Sequence, residues 1–148
     1  MALREKPEID LTARCACGQV SLSVRGRIRS MFMCSCEDCQ RATGTGHSTV
    51  ALVRPADVTI TGPTANFARS AHSGATLTRW FCPTCGTPLY AQSSRAPDLL
   101  MLPVGLFGPD AGWFAPNQLI FARSHRDWDE IADSLPQHQT YRDEGAKM

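Results

Sequence analysis

Seven cysteines fall into three groups with none left over: Cys15 and Cys17, then Cys34, Cys36 and Cys39, then Cys82 and Cys85. The outer pairs stand more than sixty residues apart. If they share one ligand, the fold must bring an early segment back against a late one. An odd number of thiols cannot all pair as disulfides. The segment 1–8, with Arg4, Glu5, Lys6 and Glu8, has no apolar stretch of the kind a signal peptide carries. The chain is therefore expected in the cytoplasm, where thiols stay reduced and clustered cysteines bind metal rather than each other.

Local spacing narrows the ligand sets. In Cys15-Ala16-Cys17-Gly18 the two thiols are at i and i+2, on one face of extended backbone, and the glycine lets the chain turn beside a metal. Cys82-Pro83-Thr84-Cys85-Gly86 is a zinc-knuckle spacing. Each pair offers two ligands, and together Cys15, Cys17, Cys82 and Cys85 would close one tetrahedral structural zinc site. Cys34, Cys36 and Cys39 would then hold a second zinc through three thiolates and leave a fourth position open, the arrangement of catalytic zinc. Two alternatives stand beside this one. The trio is a second structural site completed by His47 or Asp38, with His72, His125 and His138 as weaker ligands; or Cys36-Glu37-Asp38-Cys39 is a redox pair, which leaves Cys34 unexplained and lacks a β-α context.

Short alternating runs predict a mostly β domain. Strands are expected over 19–24, 28–33, 48–53, 58–60, 66–70, 76–81, 89–92, 99–104 and 118–122. A short helix capped by Ser35 should run to Gly44 and carry Cys36 and Cys39 on one flank. A second should start at Asp127, use Glu130 at its third helical position and stop at Pro136. Residues 1–13 read as a surface segment without periodicity, and 105–117 as a long connection. At 148 residues and 43% hydrophobic content, one domain spanning 1–148 with a core near 12–138 is expected.

The net charge is +1, and thirteen of the fifteen basic residues are arginines scattered along the chain. No basic stripe for nucleic acid emerges, and no apolar run is long enough to span a membrane. A few arginines facing the metal site would bind carboxylates in two-pronged fashion, with Arg41 and Arg79 the candidates. A homodimer is compatible with the sequence.

Three motifs in order, C-x-C-G-x-V from Cys15, C-x-C-x-x-C-x-x-x-x-G from Cys34 and R-x-F-C-x-x-C-G-T-x-L from Arg79, resemble the glutathione-dependent formaldehyde-activating enzyme family, which includes the centromere protein V domain. Trp128, Ile131, Asp133 and Leu135-Pro136 resemble its C-terminal stretch, so the likeness spans about 12–138. It implies a β-tent fold of mostly antiparallel strands, a structural zinc on Cys15, Cys17, Cys82 and Cys85, and a catalytic zinc on Cys34, Cys36 and Cys39. The activity implied is that of a carbon–sulfur lyase joining glutathione and formaldehyde as S-hydroxymethylglutathione. The partners are then a small-molecule thiol and an aldehyde. In one departure, Leu119 precedes Ile120 where family members often carry His, which implies one polar group fewer near the site. Two other function classes stay open on the residues alone: a thiol-binding module without turnover, and a structural zinc domain that docks a protein.

Overall fold

A computed structural model describes residues 6–142. The expected mostly β architecture is found: ten strands in two sheets, with one short α-helix and three 3-10 segments. The smaller sheet has the order β1-β2-β5, formed by β1 (Glu8–Arg14), β2 (Ser21–Arg27) and β5 (Val58–Thr61). The larger has seven strands in the order β10-β3-β4-β9-β8-β7-β6. Its members are β3 (Ser30–Cys34), β4 (Ser48–Val53), β6 (Ala65–Ser70), β7 (Thr76–Phe81), β8 (Pro88–Ser93), β9 (Leu100–Pro103) and β10 (Leu119–Ile120). All ladders are antiparallel except β10 against β3.

The segment expected to lie unstructured on the surface contains β1. Its Ile9, Leu11 and Ala13 alternate with Glu8, Asp10, Thr12 and Arg14, and Ile9 and Ala13 are buried against Leu22 and Val24 of β2. Weak strand formers such as alanine and the acidic residues hide this alternation, and cross-strand burial overrides their propensity.

The larger sheet has two different faces. Side chains alternate along strands, so one face carries Met31, Ala51, Val53, Leu100 and Leu102, which join the smaller sheet's Leu22 and Val24 in the main core. The other face carries Phe32, Cys34, Val50, Leu52 and Ile120, a second buried cluster against which Cys36, Cys39, Leu99 and Met101 pack. This second face carries or packs against three of the seven cysteines.

Two helix expectations change. Helix α1 spans Glu37–Thr43 and ends at Gly44 in the left-handed conformation, as expected, but its N-cap is Cys36, whose sulfur accepts from the Cys39 N–H at 3.3 Å. Ser35 is fully buried, its N–H donates to Ile120 alongside β10, and its hydroxyl, one residue before the N-cap, caps nothing. The helix expected from Asp127 to Leu135 is absent, replaced by separate turns that close Asp129 N–H on Arg126 and Leu135 N–H on Ala132. The Asp129 carboxylate accepts from His47 Nδ1 at 2.6 Å and its carbonyl from His125 Nε2 at 2.5 Å. These tertiary bonds claim groups a capped helix needs, and so short a helix has little nucleation to resist them.

The last strand is only two residues long rather than the five expected. Phe121 takes φ 57, the one positive φ outside glycine among the described residues, and 122–124 then wind into a 3-10 turn. The segment after Pro136 returns beside β10, with Phe121 N–H donating to Thr140 and His138 N–H to Leu119.

Candidate functional site

Both cysteine groupings expected from spacing assemble. Ligand atoms of Cys15, Cys17, Cys82 and Cys85 lie within 4.8 Å of one another, as do those of Cys34, Cys36 and Cys39. Each set suits a soft divalent cation by donor type and number.

The four-thiol cluster is built from two matching turns. Gly18 N–H donates to Cys15 and Gly86 N–H to Cys82, and both glycines have positive φ (80° and 77°), a conformation a side chain would resist. Thr87 ties the turns together: its hydroxyl accepts from Ala16 N–H at 3.0 Å and lies 3.2 Å from Cys85 sulfur. That hydroxyl, with the Thr87 N–H, brings the Cys85 thiol down to about 5. A backbone bond from Gln19 acts the same way on Cys17, but burial and the three neighbouring sulfurs outweigh it and push this thiol up to about 12. Cys15 and Cys82 pack with Val20 and Leu89 in a small core of their own.

The three-thiol cluster forms where β3 passes into α1. Cys34 ends the strand, Cys36 caps the helix and Cys39 lies in its first turn. Hydrogen bonds from Cys34 and Cys39 draw Cys36 down to about 2, with help from the Cys39 N–H and the charge of Arg69. The same contacts with Cys36 and Cys39 push Cys34 strongly up. At Cys39 the lowering bond from Cys34 is outweighed by Cys36 and burial, leaving it raised to about 11. Packed this closely, three sulfurs share one negative charge readily but resist a second and a third, so three thiolates together call for a cation.

Neither of the two alternatives for a fourth ligand, His47 or Asp38, has a ligand atom grouped with the three sulfurs. His47 is engaged with Asp129, and the Asp38 carboxylate faces Arg69 at 3.1 Å and Arg41 at 3.8 Å. His125 bonds Asp129 as well, while His72 stacks edge-on against Phe121. The trio therefore remains a set of three among the described residues.

It also opens onto space. A cavity of about 150 Å³ is lined by Cys34, Cys36 and Cys39 with Arg69, His72 and Tyr141. A second, of about 380 Å³, begins at Cys39 and runs toward Arg79 and Phe67. None of Cys15, Cys17, Cys82 or Cys85 lines either one. Strand register explains the layout. Cys34 pairs with Ser48, Leu52 with Met101, Met101 with Ala91, Ala91 with Arg79, and Arg79 with Phe67, so one face carries all of them. Leu119, opposite Met33, alternates with Ile120, opposite Cys34, and so points to the other side of the sheet. Leu119 lines neither cavity.

Of the two arginines considered from sequence, Arg41 turns outward, 73% exposed and within reach of Glu37 and Asp38. Arg79 lines the larger cavity. Arg69, counted from sequence among the scattered surface residues, has a side chain only 16% exposed and lines both cavities. Its Nε is buried and has no partner among the described residues. The period of two over Ala65–Ser70 puts Arg69 on the same face as Phe67, but only strand register places that face over the thiols. Tyr141, near the end of the described chain, accepts from Ser73 N–H, meets Phe121 edge to face and lines the smaller cavity.

Comparison with known proteins agrees with this assembly. A search of curated protein sequences gave no match. Among solved structures, the chain is similar to a structural-genomics crystal structure of a Rhodobacter sphaeroides protein, with a TM-score of 0.54 and 21% identity over 69% of this chain and 95% of that one. That likeness bears on fold. The family profile described as glutathione-dependent formaldehyde-activating enzyme matches residues 10–124, which take in all three cysteine motifs but end before Trp128. With most of its length and every clustered cysteine inside that match, the chain belongs to the glutathione-dependent formaldehyde-activating enzyme family.

Proposed function

We propose that this protein is a zinc-dependent carbon–sulfur lyase acting on the adduct of glutathione, or another thiol, with an aldehyde, S-hydroxymethylglutathione being the simplest case. Family membership supports chemistry on glutathione and an aldehyde. The observation that carries the reading further is the contrast in surroundings: all three thiols of the trio line the smaller cavity and Cys39 also the larger, whereas no thiol of the four-thiol set lines either. Cys15, Cys17, Cys82 and Cys85 would hold a structural zinc, and Cys34, Cys36 and Cys39 a catalytic one. Bound there, zinc supplies the positive charge that lowers the pKa of a substrate thiol toward neutral pH.

The chain's own groups account for the rest. The smaller cavity presents Arg69, Arg95, His72 and Tyr141 to a polar, carboxylate-bearing thiol such as glutathione. In the synthetic direction the sulfur–carbon bond forms as the thiol proton passes to the aldehyde oxygen. In the lyase direction the hydroxyl proton returns to sulfur and the aldehyde leaves. Negative charge builds on that oxygen in both, and Arg69 has a buried N–H free to donate to it. A cytoplasmic setting suits the chemistry, since it keeps seven thiols reduced for metal and supplies the co-substrate. No helix among the described residues is long and apolar enough to cross a membrane.

The test is formaldehyde exchange with glutathione followed by NMR at physiological pH, on protein whose zinc content has been measured. Acceleration over the spontaneous rate supports the lyase. Saturable glutathione binding with no acceleration would make the protein a thiol-binding module instead, and no thiol affinity at all would leave a structural zinc domain.

A further inference from the structure

With glutathione assigned to the smaller cavity, formaldehyde as co-substrate leaves the larger one without a use. An aldehyde of two heavy atoms is little bigger than a water molecule, whose share of liquid volume is about 30 Å³. The larger cavity measures about 380 Å³. Its walls are mostly apolar, from Phe67, Phe81, Pro88, Tyr90 and Met101, and Phe67 is 59% exposed. Such walls gain from contact with an apolar body of aromatic size.

Arg79 gives the cavity a polar end. It is half-buried in β7, next to Phe67 in register, and its guanidinium has no ion pair or hydrogen bond among the described residues. Arg69, on the same wall, is matched by Asp38, the only acidic residue lining the cavity. The lining is therefore net cationic, with one guanidinium left for a ligand. A planar carboxylate suits a guanidinium in two-pronged fashion.

We infer that the larger cavity binds an apolar carboxylate of aromatic size, and that this molecule is the aldehyde component of the reaction, its carbonyl end at Cys39 and its carboxylate at Arg79. The inference deepens the lyase reading and rests on it for the identity of the aldehyde; the binding site itself rests on the cavity alone. The chemistry is unchanged: one sulfur–carbon bond forms, the thiol proton goes to the carbonyl oxygen, and nothing is oxidised or reduced.

Calorimetric titration of the zinc-loaded protein with 4-ethylbenzoate, an unreactive probe, and with its neutral counterpart 4-ethylbenzyl alcohol tests the site. Saturable binding is expected, with the anion favoured by about tenfold, as for a hydrogen-bonded charged group. Arg79→Gln should abolish that preference while still binding the neutral probe, which also shows that the variant is folded. No saturable binding, or an anion preference that survives in Arg79→Gln, would overturn the site. In turnover with glutathione, 4-formylbenzoate should exceed formaldehyde in kcat/KM by about tenfold or more; the reverse order would overturn the aldehyde assignment. Formaldehyde turnover without benzoate binding refutes the larger-cavity site and spares the lyase, whereas benzoate binding without turnover of either aldehyde refutes the lyase and spares the site.

Discussion

The two cysteine clusters use the same atom in opposite settings. Cys15, Cys17, Cys82 and Cys85 come from two turns, each closed by a glycine at positive φ and both bridged by Thr87, and Cys15 and Cys82 pack with Val20 and Leu89. Cys34, Cys36 and Cys39 come from one strand-to-helix junction and face cavities. The first joins segments distant in sequence; the second joins nothing that β3 and α1 do not already hold. A metal at the first would act on folding, and a metal at the second on whatever enters the cavity. The difference lies in how much chain each cluster ties together, beyond the ligand count.

Substitutions separate these roles. The largest effect is expected for Cys82→Ser, which takes one corner from the four-thiol site. Structural zinc in small domains has apparent binding free energies of about 10 kcal/mol or more, comparable to the whole stability of a domain. The cooperative thermal transition should disappear, as measured by calorimetry or circular dichroism. Cys36→Ser should keep a cooperative transition and bind one zinc fewer by metal analysis, with activity lost by about a hundredfold or more. Equal loss of fold in both variants would erase the distinction.

Acid should also act on the two clusters in sequence. Thiolate ligands are deprotonated when they hold metal, so the contribution of metal to stability is present at higher pH and lost as pH falls and protons compete for sulfur. With one ligand fewer, the trio is expected to release its zinc first. A chromogenic chelator followed during acid titration should record release in two steps, activity vanishing with the first and the fold with the second.

Arg69→Met is a smaller and more selective change. The Arg69–Asp38 pair is partly open to solvent, with Asp38 44% exposed, and such pairs contribute about 1 kcal/mol or less. The melting temperature should therefore shift by only a few degrees. The kcat should fall by about tenfold to a hundredfold, because the lost N–H donor is needed as charge develops on oxygen. Least of all, Asp129→Ala should cost about 1–2 kcal/mol by unpairing His47 and loosening the contact with Gly46, and should leave both zinc ions bound.

The sequence was most legible where short-range chemistry decides the outcome. The thiol partition follows from spacing of two, three and two, and Gly44 ends α1 as its position suggests. The strand expected over 76–81 matches to the residue, since the turn at Ser73-Gly74 marks where it starts. Sequence failed where partners come from far away. Asp127–Leu135 looks like a capped helix until His47 and His125 claim Asp129, and Ser35 looks like a cap until it is buried beside β10 and Cys36 takes the N-cap. The face that Arg69 and Arg79 share with Cys34 depends on five successive strand registers, and the β4–β9 register among them pairs segments far apart in sequence. The same registers turn Leu119 away from the thiols, so the departure at that position leaves the cavity lining unaltered.

The most direct test is the rate of formaldehyde–glutathione exchange in wild type and Cys36→Ser, each shown to be folded and assayed for zinc. Acceleration is expected in the wild type carrying two zinc ions, and the spontaneous rate in Cys36→Ser carrying one. A folded Cys36→Ser protein that accelerates exchange as well as the wild type would contradict the assignment of chemistry to the open three-thiol site.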